Sequence, residues 1–228
     1  MEIGTITSAR IDIGRSGARM TTKELLKFRQ DHAIAMDAVW SHVNEDVVTA
    51  LGFKIVNTLI KDKEEYIRRP DLGRRFSKET LEDIKNTCIN QPTVQIIAVD
   101  GLSSPAINVN LKDIYGILID GLIHKEISVG TPIFVRYGRV ATMDYITEAL
   151  GAEVTILLVG ERPGLATGES MSAYIAYQSS PDKPESQRTV VSNIHNGGLY
   201  PVEAGAQILH IVDIMLKEQK SGVDLKMM

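Results

Sequence analysis

"VTILLVGERPGLATGESMSAY", Val154 to Tyr174, is the stretch from which the rest of the chain can be read. Val154 to Val159 are all aliphatic or threonine, and Gly160 ends the run. A run this short and this apolar, stopped by glycine, reads as a strand buried on both faces. The loop after it, Gly160-Glu161-Arg162-Pro163-Gly164, resembles a phosphate cradle but lacks the parts. A Walker loop needs Gly-Lys followed by Ser or Thr, and a dinucleotide site needs G-x-G-x-x-G directly after a strand. Pro163 removes a backbone donor, and Glu161 would set a negative charge against a polyanion. The loop suits a neutral, amide-rich ligand.

The same signature recurs on either side. "VQIIAVDGLSS" predicts a buried strand at Val94 to Val99 running into an Asp-Gly turn, followed by an amphipathic helix over about Leu111 to Lys125. "TPIFVRYGRV" predicts a second strand, and Met143 to Leu150 a second helix. "SMSAYIAYQ" and "RTVVSNIH" read as later strands, and a last helix runs from about Val202 to Lys217 behind Pro201. Near-continuous apolar strands alternating with helices define an α/β fold, with a mostly parallel sheet covered by helices on both faces. Ligands of such sheets sit beyond the carboxyl ends of the strands. Three loops are therefore expected to act together: Asp100-Gly101, Tyr137 to Val140, and Gly160 to Gly164.

Upstream, the pattern turns helical. Thr21 and Glu24 form a capping box, and Leu25, Phe28, His32, Met36, Val39 and Val43 then recur at helical spacing. On that stripe His32 reads as a buried core histidine and Trp40 as an anchor in the same core. A short helix from about Glu45 to Ala50 should stop at Gly52. "YIRRPDLGRR", Tyr66 to Arg75, sets four arginines around a turn. It reads either as a solvated basic loop or as an anion or partner contact suited to arginine forks. Ser77 caps a helix from Lys78 to about Cys88, which stops before Asn90-Gln91-Pro92. That stop divides the chain into a mainly helical domain at 1–91 and an α/β domain at 92–228.

Composition excludes several functions. A net charge of −4 argues against general nucleic-acid binding, which requires basic residues to neutralise phosphates. The longest apolar run is well short of the roughly 18 residues of a membrane helix, so no membrane span is expected. Met1 to Gly4 lack the basic start and apolar core of a signal peptide. One cysteine, Cys88, permits no internal disulfide and suits a reducing, cytoplasmic setting. Ser170 and Ser172 have no G-x-S-x-G elbow, and the five histidines show no H-E-x-x-H pattern, so hydrolase and zinc chemistry have no sequence support. Asn193-Ile194-His195-Asn196-Gly197-Gly198 resembles the D-x-H-x-x-G signature of corrinoid proteins that ligate cobalt through histidine. Here asparagine replaces the aspartate that would polarise the ring, so His195 reads as a loop anchor.

Six blocks taken together carry a larger resemblance. "ARIDIGRSGAR", "YIRRPDLGRR", "VDGLSS", "VGTPIFVRYGRV", "LLVGERPGL" and "SNIHNGGLYPVEAG" are similar, in order and across about residues 9 to 225, to the small (light) subunit of ethanolamine ammonia-lyase. The resemblance implies an adenosylcobalamin enzyme, a carbon–nitrogen lyase converting ethanolamine to acetaldehyde and ammonia by a radical route. It implies a hetero-oligomer with a large barrel subunit that carries the substrate site. The small subunit is expected to be a Rossmann-like sheet behind a small helical domain, and to complete the cobalamin pocket between the chains. Longer family members are linked to bacterial microcompartments, whereas this chain begins almost at the shared block.

Carried over residue by residue, the family's small-subunit cobalamin contacts fall on Val140 of "RYGRV", Glu161 of "GERPG" and Val190 after "RT". Family members can hold cysteine at the last position, so Val190 is a departure, which a main-chain contact would tolerate. The resemblance assigns this chain no catalytic acid, base or metal ligand. Two other readings use the same sheet: a stand-alone Rossmann-like nucleotide-binding protein, and a purely structural assembly subunit in which Val140 and Glu161 are ordinary loop residues.

Overall fold

The structure is a computed structural model that describes residues 13–225. The signal-peptide reading of Met1 to Gly4 and the start of "ARIDIGRSGAR" lie outside the described residues. A small hairpin opens the described chain, β1 (Arg15–Ser16) and β2 (Arg19–Met20), turning at Gly17. Helix α1 (Thr22–Trp40) follows. Its cap is the one read from the sequence, with the Thr21 hydroxyl accepting from the Glu24 N–H.

The apolar stripe of α1 behaves differently from the expectation. Only Ala38 on this helix is buried; His32 is exposed beside Phe28, and Trp40 is 49% exposed. Helical spacing places side chains on one face, but burial needs an opposing element, and among the described residues α1 meets little beyond β2 and α5 (Ser104–His124).

The remaining elements build one six-stranded sheet. They are α2 (Glu45–Ala50), β3 (Lys54–Asn57), α3 (Lys63–Arg68), α4 (Lys78–Thr87), β4 (Val94–Val99), then α5, β5 (Ile133–Arg136), α6 (Thr142–Leu150), β6 (Val154–Gly160), β7 (Met171–Tyr177), β8 (Thr189–Ile194) and α7 (Pro201–Glu218). The strand order is β3-β5-β4-β6-β7-β8. The first four of these run parallel, and β7 pairs antiparallel with both β6 and β8, so the sheet is mixed. The expected mostly parallel sheet is interrupted at one strand, β7, which alone runs against the other five, and for a countable reason. Residues 161–170 contain no helix and are too few for the crossover of about a dozen residues that a parallel return demands.

Strand β3 belongs to the stretch read as helical. It pairs with β5 from Lys54 opposite Ile133 to Asn57 opposite Arg136, so main-chain pairing crosses the expected division at residue 91. With only four residues and one buried side chain, it leaves almost no apolar signature. Helix α5 begins seven residues before its expected start at Leu111. Its cap is Ser103, whose hydroxyl accepts from the Ala106 N–H, with Pro105 in the first turn.

Alternating side chains sort the core into two faces. Val94, Ile96, Ala98, Ile156 and Leu158 pack under α5 and α7, while Ile97, Val99, Leu157 and Val159 pack with α4 and α6. Each buried aliphatic side chain contributes about 1.5–3 kcal/mol. The chain passes from β4 to β5 on one side and then to β6 on the other. The switch point therefore lies at the carboxyl end of β4, the position where open α/β sheets bind ligands.

Candidate functional site

The three loops expected to converge do so. Gly101 and Leu102 after β4, Gly138 to Val140 after β5, and Val159 to Arg162 at the end of β6 line one crevice of about 210 Å³, closed by Ser172 and Tyr174 of β7. The approach is close: Leu102 donates its N–H to the Gly160 carbonyl at 3.0 Å. A side chain at Gly101 would strike that carbonyl, and one at Gly160 would strike the Ser103 carbonyl. The glycines thus set how near the loops lie.

Val140 and Glu161 both line this crevice, half-buried. Val190 does not line it but stands next to it. It lies directly opposite Tyr174 on the edge strand β8, so the two side chains share a sheet face. That face is covered by helices over the middle strands but is open at β8, where Val190 is 45% exposed and Ser192 is exposed as well. The strand is anchored at its start by Arg188, whose guanidinium pairs at 2.6 Å with the buried Asp144 of α6. Asp144 also accepts from the Ser179 hydroxyl.

Glu161 is committed to the protein more than its place on an exposed loop suggests. Its carboxylate accepts from the Ser170 hydroxyl (2.8 Å), the Ser172 hydroxyl (2.5 Å) and the Asn193 N–H (2.9 Å). It therefore ties the ends of β6, β7 and β8 together. A carboxylate has about four acceptor positions, so one remains for an outside donor. Ser170 and Ser172, which carry no hydrolase motif, have this role instead. Their spacing of two residues, which puts both hydroxyls on one side of a strand, was the available signal.

His195 anchors its own turn, as its sequence context suggested. Its Nδ1 accepts from the Gly197 N–H at 3.0 Å, so Nε2 carries the proton and donates to the Asn193 carbonyl oxygen of the side-chain amide at 2.9 Å. Asn193 itself adopts a left-handed φ of 61°. Among the described residues, no group of three or more His, Cys, Asp or Glu side chains is placed to hold a metal ion.

On the opposite face lies a second, more polar cavity of about 330 Å³, lined by His42, Val43, Glu45, Phe134, Arg136 and Tyr137, with Asp100 at its floor. Glu45 and Arg136 form an ion pair across it. Asp100 lines this cavity, and the next residue, Gly101, lines the other. The Asp100 carboxylate accepts the N–H groups of Tyr137 and Gly138, each at 3.0 Å. Burial pushes its pKa up to about 6, against the opposing pull of the Lys63 ammonium and these two N–H groups. The arginines of "YIRRPDLGRR" are turned to solvent: Arg68 pairs with Glu64 and Arg69 with Asp71, each at 2.8 Å. Tyr66 and Gly73 of the same segment are buried under the 137–140 loop.

Fold and site together define the class: an α/β subunit whose strand-end crevice, at the topological switch point, is open along an uncovered sheet edge. Comparison with known proteins narrows this. Residues 1–226 match the family described as "Ethanolamine ammonia-lyase light chain (EutC)", and the chain belongs to that family. It is 64% identical to the ethanolamine ammonia-lyase small subunit of Clostridium acetobutylicum over 225 residues, covering 99% of this chain and 93% of the relative. It is 52% identical to the small subunit from Fusobacterium nucleatum over 221 residues, covering 97% and 75% of the two chains. It is 51% identical to that of Clostridium perfringens over 226 residues, covering 99% and 77%. The enzyme these relatives are named for is a carbon–nitrogen lyase, and the name small subunit implies a large one. Among the described residues no helix is long and apolar enough to cross a membrane.

Proposed function

We propose that this chain is the small subunit of an adenosylcobalamin-dependent ethanolamine ammonia-lyase and forms one wall of the cofactor pocket, with the large subunit as the other wall. The observation that carries the reading is the size and openness of the crevice. Sites that enclose a drug-sized ligand measure roughly 300–1,000 Å³. A crevice of about 210 Å³ that continues onto an uncovered sheet edge accepts only the rim of a corrinoid. Val140 supplies apolar surface, Val190 offers its main chain from the neighbouring edge strand, and Glu161 offers its remaining acceptor position to an amide arm or a ribose hydroxyl.

When bound, adenosylcobalamin supplies the radical chemistry, by homolysis of its cobalt–carbon bond. This chain's residues hold and shield. Glu161 keeps the ends of three strands in register around the crevice, Tyr174 and Val140 present surface that excludes water, and Pro163 limits the freedom lost on binding. No side chain here is assigned proton transfer. The single cysteine, Cys88, which is buried, supports action in a reducing cytoplasm.

The test is titration of the co-purified large–small complex with cobalamin, followed by visible absorption, together with ethanolamine-dependent ammonia release. The isolated chain is expected to bind cobalamin weakly. The complex is expected to bind it tightly, with Glu161→Ala weakening affinity about tenfold, the effect of one hydrogen bond in a partly buried site. Unchanged affinity in Glu161→Ala, and also in Val140→Asp, would favour the purely structural assembly subunit. Binding of a dinucleotide by the isolated chain would favour the stand-alone nucleotide-binding reading.

A further inference from the structure

The loop that carries Val140 is held in a conformation it would not adopt unaided. Tyr137 has a φ of 57°, the left-handed region that a bulky side chain rarely occupies. Such a residue persists only where its surroundings over-determine it, and such positions concentrate at functional sites. The surroundings here come from two distant parts of the chain. Asp100, at the end of β4, takes both the Tyr137 and the Gly138 N–H, one on each carboxylate oxygen. Tyr66, on α3, donates its hydroxyl to the Gly138 carbonyl at 3.0 Å.

Arg139 closes the arrangement. Its guanidinium lies 4.0 Å from the centre of the Tyr66 ring and donates to the Tyr66 carbonyl at 2.9 Å, while its own N–H donates to the Gly73 carbonyl at 2.9 Å. Gly73 suits this contact, because a Cβ there would lie 3.0 Å from the Tyr137 carbonyl and push the loop back by a few tenths of an ångström. The Lys63 ammonium lies 5.2 Å from the Tyr66 ring and is buried with no hydrogen-bond partner among the described residues. Burial drives its pKa down and the Asp100 charge acts against that. A buried ionic group of this kind is a weak source of stability, since apolar packing in its place is often neutral or better. Its placement under one strained turn calls for another explanation.

We propose that Asp100, Tyr66 and Arg139 are positioning residues that lock the 137–140 loop, so that the segment from Lys63 to Gly73 acts as a remote arm of the crevice wall at Val140. This rests on the cofactor reading above for its consequence, though not for its geometry. It also gives "YIRRPDLGRR" a role that neither of its sequence readings contained: the arginines face water, and the tyrosine and glycine between and beside them prop the loop.

The experiment uses the complex of this chain with the large subunit and compares Tyr66→Phe and Asp100→Asn with the native form. Tyr66→Phe keeps the ring and deletes only the bond to the Gly138 carbonyl; Asp100→Asn keeps the shape and replaces one acceptor with a donor. Amide hydrogen exchange, measured without cobalamin, is expected to rise about tenfold or more at residues 137–140 in both variants, while β7 amides keep their native rates. Cobalamin affinity is expected to fall about tenfold, with little effect on KM for ethanolamine. Native exchange rates at 137–140 in both variants would overturn the proposal. So would faster exchange with native cobalamin affinity, provided Val140→Asp weakens binding in the same assay. If Val140→Asp and Glu161→Ala both bind as the native complex does, the cofactor reading itself falls, and that result is distinguishable because the exchange data are independent of cobalamin.

Discussion

Two carboxylates sit at the ends of strands that neighbour each other in the sheet, and both act as clamps, yet their surroundings oppose one another. Asp100, ending β4, is 2% exposed and holds two backbone N–H groups of one loop. Glu161, just past β6, is half-buried and joins two hydroxyls and one N–H from the ends of β7 and β8. The buried clamp has backbone partners that cannot rotate away, and a charged neighbour, Lys63, in place of water. The half-exposed clamp has hydroxyl partners that rotate about their own side-chain bonds, on Ser170 and Ser172. The same functional group therefore fixes one loop rigidly and leaves the other adjustable.

The comparison is broken most severely by truncation. Asp100→Ala strands two buried N–H groups and the Lys63 charge, and is expected to cost about 3–5 kcal/mol in urea unfolding. Glu161→Ala leaves two hydroxyls that can reorient to other acceptors and an N–H on the exposed Asn193, so about 1 kcal/mol is expected. Equal losses in the two variants would show that burial does not separate the clamps.

A pH series sharpens the same contrast. The Asp100 pKa rises from 3.8 to about 6 on folding, so the native state holds its proton more tightly than the unfolded chain does. The stability tied to that proton is complete below pH 3.8 and is lost as the pH rises through about 6. The loss is on the order of 2–3 kcal/mol for a shift of this size. Groups facing Asp100 are Lys63 and Tyr66 on one side, and His42, Glu45, Arg136 and Tyr137 around the polar cavity. Urea midpoints of Asp100→Asn are expected to lack this component of the pH slope, while the rest of the profile stays; a slope identical to the native one would reject the assignment.

The smallest effect is expected at the edge strand. Val190→Cys is expected to change cobalamin affinity of the complex by less than about threefold, because a main-chain contact would not register the side chain and a thiol is a weak donor. A tenfold gain would instead show that sulfur makes the contact in relatives that have it.

How much of this was readable beforehand depends on the range of the signal. Thr21, Asn44, Asp62, Ser77 and Ser103 all cap helices through bonds spanning two or three residues. Thr21 and Ser77 were assigned from the sequence, whereas Ser103 was overlooked although Pro105 marks it. The convergence of the three loops followed from strand-end logic and holds. The clamps were not legible, because Asp100 reaches 37 and 38 residues along the chain and Glu161 reaches Asn193 across 32. No periodicity in the sequence encodes such a pairing.

The sequence by itself determined the buried strands at Val94–Val99 and Val154–Gly160, most of the helices with the caps at Thr21 and Ser77, and the family, because each of these is written in a contiguous run of residues. Only the tertiary structure decided that Lys54–Asn57 joins the sheet, that β7 runs against the other five strands, and that the stripe of α1 faces outward. It alone decided that Lys63, Tyr66 and Asp100 meet beneath the Val140 loop. In each case the outcome depends on which surface another part of the chain brings into contact, and that is settled when the whole chain closes on itself.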